Sequence, residues 1–339
     1  MFQQLSKRLR EQRWLRRLLP GGAGPDETRG EADADQSGAA GIAARSAALL
    51  RGGLHPTQIA RSLAREAPSA ELRAAALQLE SGADLGGAFA AVDGPEWRVL
   101  GAAWNLAERT GAPFAPVLDR IAVALRSIDE LDNRREVLFA APRMTVRLVA
   151  WLPLASIGVG YLLGFDPLPV FLTPLGAVLL VVGLLLQLAG LVWARRLIAS
   201  LESEDRVAGL ECELTWIALA GGAPPGVARV RVADAVSDAR AEWVEFASLG
   251  RGTPLDRALE EAASVGVPAS ALLLDAAGAE RAALQTRLER AAERLGVRIL
   301  IPLATCILPA FIVLGVLPVI VTLLGNVFVD PVLAGAGAH

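Results

Sequence analysis

The chain has 339 residues, 53% of them hydrophobic, a net charge of −3 and only 5% aromatic residues. No global basic field points to nucleic acid, and the positive mean hydropathy of +0.43 speaks against an ordinary soluble domain. Two separated cysteines, Cys212 and Cys306, form no CxxC pattern, and His55 and His339 build no multi-histidine site, so metal catalysis is not expected.

Ala, Leu, Arg and Glu fill the periodic stretches, which favours helix almost throughout. Apart from Lys7 every basic residue is arginine, which we read as a codon bias. Residues 1–19 form a basic amphipathic segment with apolar Phe2, Leu5, Leu9, Trp14, Leu15, Leu18 and Leu19. It suits either an anionic membrane surface or a docking partner, and no apolar core follows its charges to make a secretory signal. Residues 20–41 are a Gly-, Pro- and acid-rich linker without the means to bury a core.

A first helical domain is expected over 42–142. Gly53, Gly82 and Gly111 recur there at 29-residue spacing, each followed six and seven residues on by small or apolar side chains such as Ile59, Ala88, Phe89, Val117 and Leu118. Glycine accepts the left-handed conformation that closes a helix, proline suits the first turn of the next, and apolar residues then resume at helical spacing. Short connections of this kind join antiparallel neighbours, so the domain should be a helical bundle.

Three stretches free of charge follow: 148–165, 167–194 and 299–329. A bilayer core of roughly 30 Å needs about 20 apolar residues as helix, which predicts membrane helices over 146–165, 168–194 and 299–327. Between the second and third lies a second helical domain, 196–297, with Gly222 and Gly252 spaced 30 apart and a weak further copy of the corner at Gly278. The two domains read as a duplication, and residues 328–339 as an external tail. Arg134, Arg135, Arg143 and Arg147 precede the first span, Arg195 and Arg196 follow the second, and Arg287, Arg290, Arg294 and Arg298 precede the third. The positive-inside rule then places the N-terminus and 196–298 in the cytoplasm and the C-terminus outside.

No enzyme is expected. Ser156, Thr173, Thr305 and Thr322 have no His or Lys at membrane depth, and Asp166 stands alone where an aspartyl protease needs two carboxylates. No phosphate-binding GxxxxGK[ST] loop occurs, and no cofactor is implied. Asp129-Glu130 and Glu260-Glu261 read as solvated helix faces. Prolines in the spans (Pro153, Pro174, Pro302, Pro309, Pro318) would suit a transport path, which makes a transporter component the alternative function. Gln187 is almost the only polar residue such a path would have, and the prolines of the third span read better as curving a packed helix.

The order of bundle, two spans, bundle and one span resembles the F-domain family of type II secretion and type IV pilus platforms. "EWRVLGAAWNLAERTGAPFAPVLDRIAVAL" (96–125) is similar to that family's helix–glycine–helix phrase, and "LGVRILIPLATCILPAFIVLGVLPVI" (295–320) to the last span of its Tad/Flp pilus branch. The resemblance implies a non-enzymatic inner-membrane scaffold that engages a hexameric secretion ATPase and pilin or pseudopilin subunits, as a homo-oligomer or beside a paired platform protein. Glu108 matches the acidic residue ahead of the family's glycine turn, which makes it the candidate partner-coupling residue, although a helix-end carboxylate beside Arg109 is the more ordinary reading of the position. The second half lacks a clean Glu-x-x-Gly element near Gly278.

Overall fold

The computed structural model describes residues 38–66, 73, 75, 76, 78, 84–162, 171–202 and 207–321. The basic segment 1–19, nearly all of the linker, Gly82 and the tail 328–339 lie outside the described residues. Among the described residues every regular element is helical and none is a strand. The elements are α1 (Ala39–Arg51), α2 (Pro56–Glu66), α3 (Leu85–Ala90), α4 (Pro95–Thr110), α5 (Phe114–Leu162), α6 (Pro174–Glu202), α7 (Leu210–Ala220), α8 (Pro225–Ala239), α9 (Pro254–Val265) and α10 (Ala269–Arg298). α10 runs on as an apolar helix to Val321. α1 begins within the segment read as linker.

The chain forms two compact units. The first comprises the described residues up to Arg126 together with Glu213–Glu242. Its centre is α4, buried around most of its circumference through Trp97, Val99, Leu100, Ala103, Trp104 and Leu106. A helix that is apolar on nearly every side must be wrapped by neighbours, and α1, α3 and α8 all pack on it. α3 crosses α4 at two glycines. A Cβ on Gly101 would come within 2.6 Å of the Gly86 carbonyl oxygen and 2.8 Å of the Ala90 nitrogen, so only glycine permits this approach. Phe89 rests against Trp97 and Trp104, with ring centroids 5.9 and 6.1 Å apart, and Trp104 against Phe114 at 4.9 Å. Side chains of this size contribute on the order of 1.5–3 kcal/mol each when fully buried.

The second unit comprises the described residues of Ser127–Cys212 and those from Trp243 to Val321. Three of its helices are long and apolar enough to cross a membrane: the end of α5, Gly176–Ser200 in α6, and the continuation of α10. At one end of these apolar segments, the end of the second and the start of the other two, Phe139, Val146, Ala194, Ile198, Leu295 and Ile299 form one buried cluster. The boundaries expected at 142–146 and 194–196 fall inside continuous helices, whereas at 297–299 the helix passes through a single turn residue, Ile299, before continuing.

Glycines set the contacts within the membrane-length segments. A Cβ on Gly183 would meet Leu314, and one on Gly190 would meet Ile307 and Cys306 at 2.8 and 2.9 Å. On another side of the α10 continuation, Gly315 lies against Ser156, and Gly160 against Val319. Small residues are how membrane helices bring their backbones close enough for dispersion to hold them.

The prolines of the third span do more than curve it. Residues 303–307 and 312–316 are π-helical, with the Leu308 N–H bonded to the Leu303 carbonyl and the Leu317 N–H to that of Ile312. Each wide turn closes one residue before a proline, Pro309 or Pro318. A proline offers no N–H to the carbonyl four residues back and its ring crowds that carbonyl, so a turn of i→i+5 bonds relieves both faults.

Candidate functional site

Glu108 lies near the C-terminal end of α4, exposed, and forms no ion pair among the described residues. Arg109 beside it bonds Asp238 of α8 through Nη2 at 2.8 Å. The backbone turns at Gly111, where φ is +73° and both Gly111 and Ala112 direct their N–H groups to the Ala107 carbonyl. Pro113 and Phe114 then start α5, with Val117 and Leu118 fully buried.

The segment 213–242 packs closely on this corner. Gly221, at the end of α7, lies so close to Thr110 that a Cβ would stand 2.5 Å from its side chain and its carbonyl oxygen. Arg98 of α4 pairs with Glu242, and Arg120 of α5 with Glu213 of α7. The last pair differs from the others: Glu213 is 0% exposed and receives both Nε and Nη2 of Arg120. A buried carboxylate needs such a two-toothed donor to offset its desolvation.

Gly53, Gly222 and Gly252 also have positive φ, at +89°, +83° and +74°. Gly53 and Gly222 follow the ends of α1 and α7, but Gly252 does not close a helix. It precedes α9, donating its N–H to Asp256 Oδ2 at 2.8 Å, while the Asp256 N–H reaches Thr253 Oγ1 at 3.2 Å. This Thr-x-x-Asp box satisfies two donors at the helix start. The helix-closing glycine of that region is Gly266, with φ +75°. Its Gly-Val-Pro sequence echoes Gly111-Ala-Pro, a likeness of residue type that a fixed 30-residue spacing does not pick out. Gly278 is no corner: it sits inside α10 with an unbroken helix on both sides, a correction to the weak repeat expected there.

Other groups were not legible in the sequence. Glu211, at the start of α7 in the second unit, is 8% exposed. Burial pushes its carboxyl above the usual range and nearby Glu280 adds to this, whereas hydrogen bonds from the Gly209 and Glu211 backbone and the charge of Arg281 oppose it. In the membrane-length region Gln187 Nε2 donates to the Ala150 carbonyl at 2.9 Å. Among the described residues no group of three His, Cys, Asp or Glu side chains could hold a metal ion.

These features define an all-helical protein with three membrane-length apolar helices and a cluster of helix corners joined by ion pairs. Residues 43–162 match the family model described as type II secretion system (T2SS), protein F, and this part of the chain carries a domain of that family. The matched region includes Glu108, the Gly111 corner and the first membrane-length helix. No curated protein and no solved structure matches the chain. The chain thus combines a domain similar to protein F of the type II secretion system with three helices long and apolar enough to cross a membrane.

Proposed function

We propose that the chain is an inner-membrane platform of a type IV pilus assembly machine of the Tad/Flp kind or of a type II secretion machine, coupling a hexameric cytoplasmic ATPase to pilin or pseudopilin subunits. The observation that carries the reading is the F-type domain over 43–162, running directly into a membrane-length helix. In this reading 42–142 and 196–297 are cytoplasmic, the C-terminus is outside, and Glu108 is a contact for the motor or a paired platform protein.

Duplication of the F-type domain is supported by the order of corners. α1 ends at Gly52-Gly53 and α7 at Gly221-Gly222. Asp84 caps α3 through the Gly87 N–H, and Thr253 caps α9 through the Asp256 N–H. Gly111-Ala-Pro and Gly266-Val-Pro then close α4 and α9, and each opens a long helix that continues into an apolar span. A transporter is less well supported, because the amide donor of Gln187 is already engaged by the Ala150 carbonyl.

Co-purification tests the platform reading. The full chain in mild detergent should retain its cognate secretion ATPase or a pilin-like subunit, and a chain that retains neither has lost the proposed mechanism.

A further inference from the structure

Each helix entering the buried junction of Phe139, Val146, Ala194, Ile198, Leu295 and Ile299 carries arginines at the same level. Arg147 follows Val146, Arg195 and Arg196 follow Ala194, Arg294 precedes Leu295, and Arg298 precedes Ile299. Because α6 runs opposite to the other two apolar segments in chain order, all of these residues fall at one end of the three apolar segments. Arg195, Arg196, Arg294 and Arg298 are exposed and form no ion pair among the described residues.

Acidic side chains are missing from the same stretches. No Asp or Glu occurs over 137–165, 167–201 or 294–329, and Glu293 at the border of the last is the nearest in sequence. The guanidinium groups of Arg195, Arg196, Arg294 and Arg298, set beside the three-helix junction in stretches without carboxylates, leave their charge to be matched from outside. Arginine's planar fork suits phosphate oxygens, and basic residues gathered between membrane helices at the headgroup level attract anionic lipid. A bare topology signal needs arginines near each span, but not four exposed ones, Arg195, Arg196, Arg294 and Arg298, gathered beside one buried cluster without an ion pair among the described residues.

We propose that this arginine collar is a binding site for the headgroup of an anionic phospholipid, which completes the junction of the three helices. The inference needs only that the three helices cross a bilayer and is independent of the platform role. Acyl chains would lie along the adjoining apolar surface, where Leu148, Trp193 and Leu300 are exposed.

The test is native mass spectrometry of the full chain in mild detergent, equilibrated with phosphatidylglycerol, with phosphatidylcholine or with inorganic phosphate. Phosphatidylglycerol should be retained at least about tenfold better than phosphatidylcholine, and inorganic phosphate should be neither retained nor able to displace it. Arg195→Gln/Arg196→Gln should lower phosphatidylglycerol retention about fivefold per arginine lost, whereas Arg251→Gln/Arg257→Gln outside the collar should leave it unchanged. Equal retention of the two lipids by the wild-type chain overturns the proposal even if the collar variant fails to insert. Unchanged retention by an inserted collar variant, or retention of phosphate alone, overturns it as well.

Discussion

Arg120 donates from Nε and Nη2 to the two carboxylate oxygens of Glu213, at 2.6 and 2.8 Å, across 93 residues of sequence. The carboxylate has no contact with solvent, whereas the arginine is about a quarter exposed (26%). Removing one partner strands the other, so Glu213→Ala should destabilise the first unit by about 3–5 kcal/mol. Replacing both, as Arg120→Met with Glu213→Leu, should restore most of that stability, since an apolar pair avoids the desolvation cost. Thermal unfolding of the detergent-solubilised chain distinguishes the two; equal loss in both variants would contradict this account.

Alanine at two glycines should act in opposite directions. At Gly111 a Cβ would meet nothing within 4 Å, yet φ is +73°. Gly111→Ala should therefore cost roughly 1–2 kcal/mol from backbone conformation alone. Gly278 lies inside α10 with equally open surroundings and no positive φ, so Gly278→Ala should stabilise by up to about 1 kcal/mol. A cost at Gly278 would mean that the helix breaks there.

The contact between α6 and the third span should be sensitive to volume. Gly190→Val would drive two methyl groups into Ile307 and Cys306, and a loss of about 1–3 kcal/mol is expected. Gly158, with nothing within 4 Å, is the control position in the same membrane-length region. Gly158→Val should leave the unfolding temperature nearly unchanged, and equal effects at both sites would remove the close approach from the explanation.

Glu211 should make stability depend on pH in a definite direction. Its carboxyl is raised above the ordinary value of 4.5, chiefly by burial. The folded state therefore holds this proton more tightly than the unfolded chain. The stability it contributes is fully present below about 4.5 and is lost as pH rises through the higher folded value. Glu211→Gln should flatten that decline, and unfolding temperatures measured between pH 4 and pH 8 will show whether the wild-type slope exceeds the variant's.

Charge reversal at Glu108 bears on the proposed partner contact. The side chain is exposed and has no ion pair to lose, so Glu108→Lys should leave folding and membrane insertion intact. Under the platform reading it reduces pilus assembly or secretion several-fold. Unchanged piliation in an inserted variant would remove this residue from the contact.

Local chemistry was the legible part of the sequence. Charge-free runs announce the membrane-length helices because a bilayer demands length and apolarity from each residue in turn, and glycine followed by proline marks corners because both act on their own backbone. Long-range pairing left no comparable trace. Arg120 and Glu213 are ordinary charges on two helical patterns until the fold buries one beside the other. Gly252 and Gly266 show the limit of spacing arguments, because a 30-residue period selects a helix start in one place and a helix end in another. The π segments were hidden for a different reason: three prolines predict a bend, but not that two of them, Pro309 and Pro318, are each preceded by a wide π turn.

The glycine contacts of the third span also limit how that helix can move. Gly183 with Leu314 and Gly190 with Ile307 fix its offset against α6, seven residues apart on each helix, while Ser156 with Gly315 and Gly160 with Val319 fix its offset against α5, four apart on each. An axial slip would lift bulky side chains out of notches on both flanks at once. The three apolar segments therefore interlock, and none of them can shift along its axis without unseating its neighbours.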